Sequence, residues 1–323
     1  MDHYIFLAIG LAVIVIGAML LTDGAVALAE RLGMPEFIVG LTVVAVGTSM
    51  PELTVSVLSA AEGSGAMSIG NVTGSNLFNT LVILGVCAVI RPLVFTRENI
   101  RRDIPICIGA SLALAAVIFG DRTVREAGGS IGRAEGVAML AAYVAVIIWS
   151  IRAARRDGPT AEARDDAAPS DKNPMPITVI CLLIAAGLGG LIGGGELCLK
   201  SAEAIARSWG VSESIIAITI VAAGTSLPEL ASSISAVAKG KFSMAVGNII
   251  GSNIFNILFI LGASSTVHPL TASAITPLDI WMVVGSAVLL LVSASVIGVR
   301  RITRAEGAAY LAIYVGYVIM LIK

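Results

Sequence analysis

The sequence predicts an all-α membrane protein with ten transmembrane helices, arranged as two inverted five-helix repeats. Three observations carry that expectation. The 323 residues are 57% hydrophobic and 13% charged, with a mean hydropathy of +0.93, whereas a soluble domain carries roughly 25% charged residues. The apolar residues gather into ten stretches close to the about 20 residues that cross a bilayer. A polar motif in the second stretch, GTSMPEL at 47–53, returns five stretches later as GTSLPEL at 224–230.

The ten stretches are 4–22, 36–60, 66–90, 104–119, 135–151, 177–199, 212–238, 242–266, 278–297 and 305–322. The opening MDHYIFLAIG lacks a basic n-region, and no small-residue cleavage site follows at a suitable distance, so it is expected to stay as the first span. The fourth stretch is short. The second and seventh are long for one straight crossing, which suits helices that are broken or steeply tilted.

Lys and Arg in alternate loops divide unequally. One side holds Arg31, Arg91, Arg97, Arg101, Arg102, Arg152, Arg155, Arg156, Arg164, Lys172, Lys239, Lys241, Arg300, Arg301 and Arg304; the other holds Arg122, Arg125, Arg133, Lys200, Arg207 and Lys323. Basic loops stay in the cytoplasm, so both termini are expected outside and the 152–176 loop inside. That loop mixes both charges with Pro and Gly, and reads as a cytoplasmic linker between halves 1–151 and 177–323. Trp149 reads as an interface anchor. A net charge of −1 gives no reason to expect a nucleic-acid partner, and no protein partner is evident besides the lipid bilayer. Cys87, Cys107, Cys181 and Cys198 have neither disulfide nor zinc spacing and read as small apolar side chains.

A constant offset of 177 aligns residues 40–85 with 217–262 without a gap, and 24 of 46 positions are identical. The identities include Thr-Ser-x-Pro-Glu and Gly-Asn-x-x-Gly-Ser-Asn-x-Phe-Asn, which shared hydrophobicity does not produce. Five spans separate equivalent points, and an odd number reverses direction. Inverted repeats with interrupted helices are the architecture of many secondary transporters, with their sites near the membrane midplane.

The repeated polar residues suit a hard cation. Thr48, Ser49 and Glu52 fall within about one helical turn. Pro51 has no N–H for the carbonyl one turn back, so carbonyls over Ala45 to Gly47 are candidate ligands. Asn71, Ser75 and Asn79 recur at i, i+4 and i+8. The second copy supplies Ala222, Thr225, Ser226 and Glu229, then Asn248, Ser252 and Asn256. Two carboxylates, several hydroxyl and amide oxygens and freed carbonyls, without imidazole or thiolate, match Ca²⁺ or Na⁺ rather than zinc or copper. Asn71 and Asn248 are equally well explained as ties between helices, and the Gly70/Gly74 and Gly247/Gly251 pairs as close helix packing. Asp23 and Glu196, at span ends, read as peripheral.

With GTSMPEL and GNVTGSNLFN in one copy, and GTSLPEL and GNIIGSNIFN in the other, the sequence resembles the sodium/calcium exchanger family of the calcium/cation antiporter superfamily, in its bacterial form with two alpha repeats. The resemblance implies a multi-pass protein of the inner (plasma) membrane, ten spans, alternating access with spans one and six as gates, and Ca²⁺ and Na⁺ as transported ions with no further cofactor. It matches Glu52 and Glu229 to the essential carboxylates, and Ser49, Ser226, Ser75, Ser252, Thr48 and Thr225 to hydroxyl ligands. The carbonyls of Ala45 and Ala222 match its backbone ligands, and Asn79 and Asn256 its remaining side-chain positions.

Many sodium-coupled members carry Asp where this chain has Asn256, so the site has one formal charge fewer. The expected activity is Ca²⁺ exchange for Na⁺. Ca²⁺ (or another cation) exchange for H⁺ is the alternative, and a cation channel or membrane sensor a remote one. No nucleophile, metal motif or phosphate loop accompanies the glutamates, which argues against an enzyme.

Overall fold

A computed structural model describes residues 2–120, 129–157, 175–209, 222–273, 275–297 and 300–322. Its helices are α1 (Asp2–Leu32), α2 (Glu36–Val39), α3 (Ala45–Thr48), α4 (Met50–Ala61), α5 (Gly65–Leu77), α6 (Leu84–Ile90), α7 (Ile104–Gly120) and α8 (Arg133–Asp157). They continue as α9 (Ile177–Ser208), α10 (Ala222–Thr225), α11 (Leu227–Ala238), α12 (Phe242–Ile254), α13 (Leu261–Val267), α14 (Pro277–Val292) and α15 (Arg304–Ile322).

Among the described residues, seven helices are long and apolar enough to cross a membrane, and an eighth forms if the pair Glu36–Thr48 and Met50–Ala61, bent by 49°, counts as one span. Large apolar side chains such as Leu182, Val144 and Leu112 stand exposed on them, as a lipid-facing surface requires. This is a multi-pass integral membrane protein. The predicted second span is the bent pair. The seventh is described only from residue 222, because 210–221 lie outside the described residues.

Several helices outrun their apolar cores. The first continues to Leu32 and the sixth to Ser208, while the short fourth gains a turn at Asn99–Asp103. Helix α8 continues through Arg-Ala-Ala-Arg-Arg to Asp157, six residues into the predicted linker. Ala and Arg favour helix and need no apolar face to extend one beyond the bilayer. The rest of that linker, 158–174, lies outside the described residues.

The chain forms two compact units that do not follow the sequence halves. One contains Met1–Pro51 and Ala153–Asn248, the other Glu52–Arg152 and Ile249–Lys323. In the first, α1 and α9 lie backbone to backbone. A Cβ on Gly17 would come 2.7 Å from Leu191 N, and one on Gly187 would come 2.5 Å from Leu21 N. The glycine-rich run at 187–195 is thus one side of a tight helix pair.

In the second unit, two strand pairs not foreseen from the sequence join segments far apart in the chain. β1 (Leu93–Val94) pairs with β4 (Arg301–Ile302), and β2 (Ser130–Ile131) with β3 (Leu270–Thr271). The offset of 177 carries β1 onto β3. The same reciprocity governs close helix contacts. Gly85 packs on Gly307, and its equivalent Gly262 packs on Gly136.

Candidate cation site

Both copies of the opening motif break the helix at serine. Ser49 has φ −85° and ψ 12°, and Ser226 has φ −90° and ψ 8°, the sparsely allowed bridge region between helix and strand. A new helix starts one residue later. Pro51 and Pro228 therefore stand in the first turns of α4 and α11, where a missing N–H costs nothing. Proline fixes where the second helix begins; the serine makes the bend. Glu52 and Glu229 follow in those first turns, close to the positive end of a helix, where a carboxylate is favoured.

The predicted ligand side chains, Thr48, Ser49, Glu52, Ser75, Asn79, Thr225, Ser226, Glu229, Ser252 and Asn256, are all buried. They fall into two sets, one in each compact unit.

In the first unit, Ser49 Oγ donates to Glu229 Oε1 at 2.7 Å. Thr48 Oγ1 lies 3.3 Å from Asn248 Oδ1 and 3.4 Å from the Ala45 carbonyl. The Asn248 amide donates to Ser232 Oγ and Ser233 Oγ, each at 3.0 Å. Asn248 is thus a tie between α12 and α11. The Ala45 carbonyl is not released by the break, since it accepts the Ser49 N–H at 3.1 Å; any ligand role uses its second lone pair. Ala222 opens α10, and the residues ahead of it lie outside the described set. Glu229 Oε2 and Thr225 Oγ1 are buried and have no hydrogen-bond partner among the described residues.

In the second unit, Ser75 Oγ donates to Glu52 Oε1 at 3.5 Å. Asn71 Nδ2 donates to the Glu52 carbonyl at 3.2 Å and to Ser56 Oγ at 2.9 Å, so Asn71 is the same tie as Asn248. Asn79 and Asn256 each occupy the second position of a π-helical turn, Phe78–Ile83 and Phe255–Ile260. Such wide turns are frequent at functional sites.

Two residues outside the predicted set join them there. Asn79 Nδ2 donates to Asn253 Oδ1 at 3.2 Å, and Asn256 Nδ2 donates to Asn76 Oδ1 at 3.0 Å. The oxygens Asn79 Oδ1 and Asn256 Oδ1 are buried without a hydrogen-bond partner among the described residues. Asn76 and Asn253 belong to the repeated Gly-Ser-Asn-x-Phe-Asn, so their identity in both copies was the available signal.

Gly247 bears out its packing role: a Cβ there would collide with the Phe37 carbonyl, as one on Gly40 would with Met244 O at 2.5 Å. Gly70 and Gly74 show no such close approach among the described residues. The positions equivalent to Phe37 and Leu41 across the repeat, 214 and 218, fall outside that set. Asp23 and Glu196 are peripheral, paired with Lys239 at 2.5 Å and Lys200 at 2.6 Å.

Buried oxygens with no donor opposite them are rare in folded proteins and call for an explanation. Among the candidate ligands they are one carboxylate, one hydroxyl and two amide oxygens, of the chemistry that hard cations take. The fold is that of a multi-span membrane protein, and each compact unit carries buried oxygens of the kind that hard cations take.

Comparison with known proteins narrows the class. The family described as sodium/calcium exchanger protein matches residues 3–152 and 179–323. The inner membrane protein YrbG of Escherichia coli (strain K12) is 33% identical over 268 residues, covering 81% of this chain and 79% of that protein. The sodium/calcium exchanger MaX1 of Methanosarcina acetivorans is 28% identical, covering 99% and 98%. A solved structure of the sodium-calcium exchanger NCX_Mj, soaked with Na⁺ and Ca²⁺, superposes with a TM-score of 0.80 at 27% identity, covering 98% of this chain and 97% of that one. The chain belongs to the sodium/calcium exchanger family.

Proposed function

We propose that this protein is a secondary active antiporter that exchanges Ca²⁺ for Na⁺ by alternating access. The observation that carries the reading is the buried oxygens on Thr225, Glu229, Asn79 and Asn256 that have no hydrogen-bond partner among the described residues. Glu52, Ser49, Ser226, Thr48, Ser75 and Ser252, with the carbonyls of Ala45 and Ala222, complete the proposed ligands. Two carboxylates balance the charge of one Ca²⁺. The same oxygens serve Na⁺, so the two ions compete, and competition for shared ligands couples their movements. Both ions are substrates, and the exchange needs no resident cofactor.

The proposed architecture is ten spans in two inverted five-helix repeats, with both termini outside and the 152–176 loop in the cytoplasm. The matched serine breaks, the paired π turns and the reciprocal strand pairs support it. The named Na⁺ and Ca²⁺ exchange of MaX1 and NCX_Mj supports the choice of ions.

The test is uptake of radioactive Ca²⁺ into proteoliposomes with an outward Na⁺ gradient. Gradient-dependent uptake, lost in both Glu52→Gln and Glu229→Gln, is expected. Uptake that ignores the gradient, or survives both substitutions, overturns the proposal. Exchange of Ca²⁺ for H⁺ is the second reading, favoured by the neutral amide at Asn256; a pH gradient without Na⁺ would then drive the same uptake.

A further inference from the structure

Asn256 can serve as an oxygen ligand only if its carboxamide faces the right way, because the two ends differ in chemistry and little in shape. The structure contains a device that decides this. The Asn253 main-chain carbonyl can only accept, and the Asn76 side chain meets it at 3.2 Å with its amide nitrogen. The Asn76 oxygen is thereby turned to its other neighbour, Asn256, at 3.0 Å. An oxygen there requires the Asn256 nitrogen opposite. What remains of Asn256 is Oδ1, buried and without a hydrogen-bond partner among the described residues. Rotating either carboxamide by half a turn puts oxygen against oxygen, or a nitrogen donor where an oxygen is now presented.

The other copy has the mirrored arrangement. Asn253 Oδ1 receives the Asn79 amide at 3.2 Å, and Asn253 Nδ2 donates to Thr80 Oγ1 at 2.8 Å. Each copy's candidate ligand is held by the other copy's asparagine. The anchors differ: a carbonyl can only accept, whereas a threonine hydroxyl can also donate. The equivalent of Thr80 is Ile257. Asn256 is therefore held more strictly than Asn79.

We infer that Asn76 and Asn253 are positioning residues that orient the carboxamides of Asn256 and Asn79, so that both present oxygen to the transported cation. This rests on the reading of Asn79 and Asn256 as ligands. All four side chains are buried, and two crossed amide pairs hold the oxygens in place before an ion arrives. Preorganisation of this kind favours binding because orienting the ligands no longer opposes it. The device also suits a neutral residue at 256. An aspartate in that place would set a carboxylate oxygen against Asn76 Oδ1.

The experiment is a double-mutant cycle on the full-length protein in detergent, read as half-saturation in a cation-induced thermal shift with CaCl₂, NaCl and KCl. Asn76→Ala should weaken half-saturation by roughly 3- to 10-fold, the scale of one lost hydrogen bond. In an Asn256→Ala background the same change should add nothing, because its target is gone, while in an Asn79→Ala background its full effect should persist. A residue that only supports the fold would weaken binding in both backgrounds, and that result overturns the proposal. Asn76→Leu fills the space without accepting a hydrogen bond and replaces Asn76→Ala if that variant fails to fold. A wild type that binds a cation yet transports no Ca²⁺ overturns the exchange reading and leaves the cycle to decide the clamp. A wild type shifted by no cation overturns both.

Discussion

Ser49 of the first repeat donates its hydroxyl proton to Glu229 of the second at 2.7 Å, although 180 residues separate them. The sequence around Ser49 reads Ser-x-x-Glu, the pattern of a local capping box, in which Ser49 would serve the first turn of its own helix. Its hydroxyl proton goes to the carboxylate of the other copy. Glu229 Oε1 is thereby held, and Oε2 is left without a hydrogen-bond partner among the described residues.

The first prediction concerns that pair. Ser49→Ala should fold and reach the membrane but weaken Ca²⁺ by roughly 10- to 100-fold, as loss of a group that holds a metal ligand does. Glu229→Gln should reduce Ca²⁺ uptake to background. Initial uptake rates across a Ca²⁺ series, with size-exclusion profiles as the folding check, measure both.

The α1–α9 contact predicts a contrast between neighbouring glycines. Gly187→Val places its Cβ where Leu21 backbone already lies, whereas a Cβ on Gly193 meets nothing within 4 Å among the described residues, so Gly193→Val has open space to enter. The first should lower the melting temperature in detergent strongly, overpacking costing about 1–3 kcal/mol or more. The second should leave it nearly unchanged. Equal effects would contradict the packing.

Gly247 approaches the Phe37 carbonyl beside Asn248, which ties α12 to α11. Gly247→Ala should destabilise by about 1–3 kcal/mol. Asn248→Ala should destabilise too, since it removes the amide that donates to Ser232 Oγ and Ser233 Oγ. Thermal melts of the single and double variants should show coupling, because the residues are adjacent on one helix.

Asp279 completes a capping box with Thr276 at the start of α14, accepting the Thr276 N–H and hydroxyl at 2.8 Å each, and also receives the Tyr317 hydroxyl at 2.7 Å. Tyr317→Phe removes one hydrogen bond to a charged acceptor, worth about 1.5–3 kcal/mol. Asp279→Ala removes that bond and the Asp279 half of the capping box, which adds about 1 kcal/mol for the hydrogen bonds lost. Melting temperatures should fall in the order wild type, Tyr317→Phe, Asp279→Ala. Ion binding should follow only through stability.

Much of the candidate site is legible in the sequence because burial in a membrane penalises polar side chains so heavily. Glu52 and Glu229, each beside a proline in an apolar run, advertise a function that offsets the cost. The duplication makes every serine and threonine of the motif visible as well. The break at Ser49 could not be placed, because proline disrupts a helix interior but is welcome in a first turn, and composition does not show which turn is first. The π turns at Asn79 and Asn256 leave no mark on hydrophobic periodicity, since one widened turn shifts the pattern by a single residue. Asn76 and Asn253 were readable as repeated residues but not as clamps, because their partners are distant in sequence. The strand pairs are two residues long, below the length at which alternation can be recognised.

Counter-ion substitution tests the central claim most directly. Proteoliposomes loaded with Na⁺, K⁺ or choline at one pH inside and out are diluted into radioactive Ca²⁺, and initial uptake is compared. Exchange for Na⁺ predicts rapid uptake only into the Na⁺-loaded vesicles, saturable in Ca²⁺ and slowed by external Na⁺. Equal uptake into all three, or uptake that requires a pH difference and ignores Na⁺, would contradict it.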